Sequence, residues 1–273
     1  MPILPAAPLA ELERTYRAAP TAEHAAALAA ALDHHAQHQS TAAEREATAW
    51  RCEELYRAHP GQAIADNLAS VLASVVLAQD KESAIIDGTA RVEHLYRACP
   101  TTGVASALAV CLLKLAAGQA TVAAHATAVA RLEGLYQSHP TAGVARYLAV
   151  CLANLALLRP TAAERAAAVE RLQALHAAYP GDDTAFALAR ALALLAAVQP
   201  QTSAVAGSVA LLDRLYRAHP TGYTAFPLAE ALARLAGMQT APARTATLAH
   251  LTSLAGAHPE VPQIRDLQTG VKS

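Results

Sequence analysis

The sequence contains few aromatic residues and no excess of charge of either sign. Aromatic residues make up 4% of the sequence, and the formal net charge is −1. A charge this close to zero provides no general attraction to nucleic acid or to an anionic membrane. We therefore predict that neither nucleic acid nor a membrane is a partner. Arginine far outnumbers lysine, which is typical of GC-rich bacterial genomes.

Several signatures of targeting and chemistry are also missing. No uninterrupted apolar run has the length of a membrane span, and the first residues lack the regions of a secretory signal. The sequence contains no glycine-rich phosphate loop and no Gly-x-Ser-x-Gly elbow. We expect a cytoplasmic protein that is not an enzyme and that uses no cofactor and no metal. The four cysteines form no Cys-x-x-Cys pair and are predicted to be reduced core thiols: Cys52, Cys99, Cys111 and Cys151.

What the sequence does contain is an internal repeat. The phrase "RCEELYRAHP" ends at Pro60, and the similar phrases "RVEHLYRACP" and "RLEGLYQSHP" end at Pro100 and Pro140. Such self-similarity at a fixed period is the signature of repeat architectures. The repeat junctions are marked by six evenly spaced prolines: Pro20, Pro60, Pro100, Pro140, Pro180 and Pro220.

The segment after each of these prolines has the apolar period of an α-helix. In the first repeat Ala25, Leu28, Ala29 and Leu32 occupy positions i, i+3, i+4 and i+7, which form one stripe of a helix. The same four residue types return in all six repeats. This segment, which we call helix A, is predicted over residues 22–38 in the first repeat.

The second half of each repeat has a similar stripe and predicts a second helix, helix B, over residues 42–58. In "RVEHLYRACP" Leu95 is predicted to face the core and Tyr96 to cover the seam toward the next repeat. Proline then prevents the helix from continuing. Four threonines follow these prolines and are predicted to cap the next helix: Thr21, Thr101, Thr141 and Thr221.

Together these patterns predict an all-α fold, a right-handed α-solenoid of helix-turn-helix repeats. One unpaired helix of type B, over about residues 8–19, would precede six A/B pairs, which makes about 13 helices. We predict a single domain over residues 1–259 and a flexible tail over residues 260–273.

The repeat resembles the tetratricopeptide repeat. The residues that carry the resemblance are, in the third repeat, Ala105, Leu108, Ala109 and Leu112 on helix A and Ala128, Leu132, Leu135 and Pro140 on helix B. The unit departs from that family in having a longer loop between its two helices and in replacing the large aromatic residues with Ala and Leu. Other two-helix repeats of similar length, such as HEAT and armadillo, remain alternatives.

The resemblance implies that helix A lines a concave face that binds an extended peptide. Beside the invariant core stripe, three columns of helix A vary between repeats, as expected of a binding surface. They gather cations and aromatic residues that could hold a carboxylate or an acidic peptide. The predicted peptide-binding groove consists of Lys114, Arg146, Asn154, Phe186, Arg190, Tyr223, Phe226 and Arg234.

We therefore predict a non-enzymatic scaffold or adaptor that binds a protein or peptide partner, and the cations of the predicted groove would suit an acidic one. The alternative is a self-assembling repeat protein, such as a homodimer. RNA binding by one-base-per-repeat recognition and an enzymatic role are less consistent with the sequence. His34 and His38 have the i, i+4 spacing of two metal ligands, but the sequence supplies no third ligand beside them.

Overall fold

The protein is all-α. The computed structural model describes residues 9–119 and 121–272, and within these residues the chain forms fourteen α-helices and no β-strand. The prediction of about 13 helices omitted only the last one. The helices are α1 Leu9–Ala18, α2 Ala22–His38, α3 Ala42–Ala58, α4 Gln62–Leu77, α5 Glu82–Ala98, α6 Thr102–Gln119, α7 Val122–Ser138, α8 Ala142–Leu158, α9 Ala162–Ala178, α10 Asp182–Val198, α11 Thr202–Ala218, α12 Gly222–Met238, α13 Ala241–Ala257 and α14 Pro262–Lys272.

The helices of the first repeat begin and end where the sequence predicted, because local capping sets their limits. The Thr21 hydroxyl accepts a hydrogen bond from the backbone N–H of His24 at 3.2 Å. Thr101 and Thr141 cap α6 and α8 in the same way. The side chain of Thr221 instead lies beside the hydroxyl of Thr224, 3.4 Å away. The capping hydrogen bond is therefore confirmed for three of the four threonines, and Thr221 occupies the N-cap position of α12 without such a bond.

The apolar columns that the repeat predicted form the core. Leu32 and its equivalent one repeat later, Leu72, are 0% and 2% exposed, and the flanking alanines of helix A are completely buried. Because alanine has a small side chain, successive A helices can approach one another closely. Helix α4 packs directly on both α2 and α6, and α12 packs on both α10 and α14. These contacts between consecutive helices are those of a helical repeat protein.

The described residues group into two compact units. The first unit contains residues 9–119 and 130–147, and the second contains residues 121–129 and 148–272. The extent of a single solenoid domain over residues 1–259 stays a prediction.

The C-terminal segment differs from the flexible tail that the sequence analysis predicted. Residues Pro262–Lys272 form α14, which packs against α12 and α13 and buries Ile264 completely. The Arg244 guanidinium donates a hydrogen bond to the backbone carbonyl of Val271. In the earlier repeats, Arg45 and Arg165 make the equivalent bond to the helix A that follows them. Helix α14 therefore takes the place of a seventh helix A, although it lacks the alanine-rich pattern by which helix A was found.

Helix α6 is long and apolar enough to cross a membrane when judged by length and composition alone. In this structure 44% of the helix is buried, and it packs against α4 and α5. Core helices of water-soluble proteins can have the same length and composition. One such helix is weak support for a membrane segment.

Candidate functional site

The variable columns of helix A lie where one helix A meets the next. In the first unit these contacts are tight and polar. Asp66 on α4 lies so close to Gly103 on α6 that a Cβ atom at Gly103 would clash with its Oδ1. Asp66 also accepts a hydrogen bond from the Thr101 hydroxyl. Ser106 and Gly143 repeat this arrangement, since a Cβ atom at Gly143 would be 2.9 Å from the Ser106 Oγ. A small side chain opposite a glycine closes the surface here.

In the second unit the same positions carry aromatic rings and enclose a pocket. Phe186 on α10 and Tyr223 on α12 meet edge to face, with ring centroids 5.5 Å apart. Phe226 and Pro227 on α12 continue the apolar lining, and the pocket has a volume of about 700 Å³. Tyr223 remains 72% exposed. We call this cavity, which has the size and apolar character typical of a ligand site, the aromatic pocket.

One arginine and two glutamates also line the aromatic pocket: Arg190, Glu230 and Glu260. The Arg190 guanidinium donates a hydrogen bond to the side-chain oxygen of Asn154 at 3.1 Å. Partial burial raises the pKa of Glu230, and the positive charge of Arg190 opposes that rise. Glu260 accepts a hydrogen bond from the His258 ring at 2.8 Å, and this bond holds the pKa of the carboxyl below its usual range. The pocket therefore combines an apolar lining with a positioned set of charges.

The structure brings together only part of the predicted groove. Phe186, Arg190, Tyr223 and Phe226 line the aromatic pocket, and Asn154 contacts it through Arg190. Arg234 belongs to the second unit but does not line the pocket, and its guanidinium lies 3.4 Å from the backbone carbonyl of Gln199.

The remaining two predicted residues belong to the first unit. Lys114 on α6 is half-buried. Arg146 on α8 is exposed, and its guanidinium lies 4.7 Å from the centre of the Tyr147 ring and 2.6 Å from the Tyr147 hydroxyl. That Lys114 and Arg146 act in one groove with the other six residues stays a prediction.

The sequence analysis missed one wall of the aromatic pocket. Glu260, Val261 and Gln263 form this wall, and they come from the segment that was expected to be a flexible tail. Glu230 stands in one of the variable columns, but it lay outside the predicted groove, which consisted of cations, aromatic residues and Asn154. The amphipathic spacing of Ile264 and Leu267 in "PQIRDLQ" was the available signal for a further helix.

Helices of type B are joined by two side-chain ladders that recur with the repeat. In the first ladder, a tyrosine or histidine near the end of one helix B packs against the residue that ends the next helix B. The ring centroids of Tyr96 and His139 are 5.6 Å apart, and those of Tyr216 and His258 are 5.5 Å apart. The prediction that Tyr96 covers the seam toward the next repeat is therefore confirmed.

The second ladder consists of ion pairs that join one helix B to the next. Arg91 on α5 binds Glu53 on α3 at 2.8 Å and also binds Glu46 at 2.6 Å. Arg51 pairs with Glu13, and Arg131 pairs with Glu93, in the same register. The ion pairs connect neighbouring B helices across the surface.

Three smaller pockets of about 300, 540 and 370 Å³ lie beside these ladders in the first unit. Their linings correspond position by position, for example through Tyr16, Tyr56 and Tyr96. Because the same residues recur at each seam, we attribute these pockets to the packing of the repeat. The aromatic pocket has no such equivalent among the described pockets.

Neither the histidine pair nor the cysteines form a reactive centre in the described structure. The rings of His34 and His38 lie 4.6 Å apart, and the Nδ1 of His38 is hydrogen-bonded to the backbone carbonyl of His34. No group of three or more His, Cys, Asp or Glu residues within residues 9–119 and 121–272 is placed to hold a metal ion. All four cysteines are free, and burial raises the pKa of three of them to about 12: Cys52, Cys111 and Cys151.

Comparisons of the chain with protein-family models, with curated proteins and with solved structures found no significant match.

Proposed function

We propose that the protein is a non-enzymatic module that binds a protein or peptide partner through the aromatic pocket of the second unit. The observation that carries the proposal is the exposure of Tyr223 beside Phe186 over a pocket of about 700 Å³. Aromatic residues that form a cavity in a rigid scaffold are typical anchors for a partner's apolar side chain. The resemblance to tetratricopeptide repeats supports the proposal, because that family uses helix A for peptide binding.

The contrast between the pocket and the rest of the repeat also supports this proposal. The features that recur with the period are explained by core packing, by capping or by the two ladders. The aromatic pocket departs from the period, and the repeat forms elsewhere without such rings. Tyr223, which is 72% exposed, buries little apolar area in the free protein. Covering it with a partner would remove that area from water.

Selection of peptides from a random-peptide display library would test the proposal. We expect peptides that bind the wild-type protein and lose most of their affinity when Tyr223→Ala removes the exposed ring. Leu157→Ala is the matched control, because Leu157 is an exposed apolar residue of the same unit and does not line the pocket. Since Tyr223 is largely exposed, its substitution should leave the melting temperature unchanged. If no selected peptide depends on Tyr223 or Phe226, the proposal is wrong.

Self-association is the second candidate function. It is favoured by the exposure of Trp50 on α3, which is 57% accessible in the first unit. Tryptophan is enriched in protein interfaces, and an exposed Trp on a helical surface suits a contact between copies. Sedimentation equilibrium at several concentrations would reveal a homodimer, and Trp50→Ala should then produce a monomer. A monomer at every concentration would exclude this function.

A further inference from the structure

The charges around the aromatic pocket carry an inference about which partner it accepts, and this inference rests on the proposed function. The predicted acidic partner depended on a cluster of cations. Of the predicted cations, Arg190 alone lines the pocket as described, and it shares that lining with two carboxylates, Glu230 and Glu260. The three charged residues of the lining therefore leave a net charge of −1.

The single cation of the described lining is already engaged by the protein. Arg190 donates a hydrogen bond to Asn154, and its charge also acts on Glu230. A carboxylate of a partner would have to compete with these groups for Arg190. It would also approach Glu230 and Glu260, which carry the same charge as the partner, and like charges brought together at an interface oppose binding.

The two carboxylates, in contrast, are available to a cation. Glu260 is 60% exposed, while His258 anchors it from the buried side. Glu230 lies at the surface, and among the described residues it has no hydrogen bond or ion pair that would hold it. Partial desolvation raises the pKa of Glu230, and a further positive neighbour would stabilise its charged form.

The aromatic rings favour the same class of partner. The faces of Phe and Tyr rings attract cations, and Tyr223 presents its ring beside the carboxylates. An arginine or lysine side chain could lay its aliphatic stem on the rings while its charged end reaches Glu230 or Glu260.

We infer that the aromatic pocket selects a peptide segment in which an arginine or lysine stands beside an apolar side chain. The apolar side chain enters the cavity between Phe186 and Phe226, and the cation contacts Tyr223 and the two glutamates. Arg190 keeps its hydrogen bond to Asn154 and forms the positive edge of the site. Its charge limits the number of cations that the pocket accepts.

Three fluorescein-labelled peptides would test this inference by fluorescence anisotropy. The first is Gly-Leu-Arg-Phe-Arg-Leu-Gly, and the other two replace both arginines with glutamine or with glutamate. We expect the arginine peptide to bind about tenfold more tightly than the glutamate peptide, with the glutamine peptide between them. Added salt should reduce this difference, because the distinguishing contacts are near the surface.

Substitution of the carboxylates identifies their contribution. Glu230→Gln and Glu260→Gln should each lower the affinity for the arginine peptide by about threefold. Together they should make the affinities for the arginine and glutamate peptides equal. Glu170→Gln is the matched control, since Glu170 is an exposed carboxylate of the same unit outside the pocket. It should leave all three affinities unchanged.

The outcomes separate this inference from the proposed function. If Tyr223→Ala weakens all three peptides but the glutamate peptide binds as tightly as the arginine peptide, the pocket binds peptides and the inference is wrong. An arginine preference that survives the double substitution also overturns it. If none of the three peptides binds in a way that depends on Tyr223 or Phe226 but the display library yields peptides that do, the inference is wrong and the proposed function stands. If the library yields none either, both are wrong.

Discussion

The two units have the same helical scaffold but carry different side chains at the variable positions of helix A. In the first unit Asp66 and Ser106 each meet a glycine of the next helix A, and the contact is closed. In the second unit the equivalent positions are Phe186 and Phe226, and the first of these meets Tyr223. The buried columns beneath are the same in both. The same core columns therefore support a closed contact between neighbouring A helices in the first unit and a pocket at the equivalent positions in the second.

The largest loss of stability is expected when the docking of α14, which adds one wall of the aromatic pocket to the second unit, is disturbed. Ile264→Ala should destabilise the docking of α14 by about 2–4 kcal/mol, because it leaves a cavity at a fully buried position. Hydrogen exchange of the α14 amides would measure this loss. The aromatic pocket should open at the same time, since Glu260 and Gln263 belong to its lining. Arg265→Ala, at an exposed position of the same helix, should have little effect. Unchanged exchange in Ile264→Ala would show that α14 does not depend on this contact.

A smaller effect is expected at the sealed joint of the first unit. Gly103→Ala places a methyl group against Asp66, which is held by Thr101, and should cost about 1–2 kcal/mol in the free energy of unfolding. Gly118→Ala in the same helix has nothing within 4 Å of the added methyl group. Because alanine favours the helix, that variant should be stabilised by up to about 1 kcal/mol. Urea denaturation would compare them, and equal stabilities would contradict the close contact.

A pH-dependent difference is expected at one seam of the second unit. His176 stands where other repeats have tyrosine, and it packs against His219 with ring centroids 5.3 Å apart. Burial, and then the charge of His219, lower the pKa of His176 from its ordinary value of 6.5. The unfolded chain therefore binds the proton at a higher pH, and stability falls as the pH drops below about 6.5.

Replacement of His176 by tyrosine should remove this part of the pH dependence. We expect the melting temperature of His176→Tyr to fall less than that of the wild type between neutral pH and about pH 5. His94→Tyr, at a helix B position outside the ring ladder, is the control. Parallel curves for wild type and His176→Tyr would exclude a contribution from His176.

The smallest change in stability is expected from adding an ion pair where the ion-pair ladder is interrupted. Gln173 and Leu211 are as far apart in the sequence as Glu53 and Arg91, but they cannot form an ion pair. The double variant Gln173→Glu, Leu211→Arg should raise the free energy of unfolding by about 0.3–1 kcal/mol, as surface ion pairs do. Each single variant should gain nothing. A double-mutant cycle measured by thermal denaturation would show whether the coupling exists.

Much of the scaffold could be predicted because the same spacing of apolar residues and prolines recurs in each repeat. Leu32 and Leu72 were assigned to the core by their column, the start of α2 followed from Thr21, and the end of α3 followed from Pro60. Helix α14 could not be predicted in this way. It lacks the periodic phrase, and its helix is stabilised by the burial of Ile264 and by the hydrogen bond from Arg244.

The candidate site was predicted only in part, for a related reason. The variable columns pointed to Phe186, Arg190 and Phe226, since they depart from the repeat beside a fixed core. They did not show that Arg190 is bound by Asn154, nor that Glu260 approaches from another segment. Spacing along one helix identifies a face, whereas neighbours across helices depend on how the helices pack.

By itself, the sequence determined the helical repeat, its period and its buried stripe, because periodic apolar residues and proline act locally and recur in every repeat. Only the tertiary structure decided which side chains meet: the joint at Gly103, the ion-pair register of Arg91 and the wall that Glu260 adds to the aromatic pocket. These contacts join residues of different helices that are far apart in the sequence, so they depend on distances between helices that no single segment encodes.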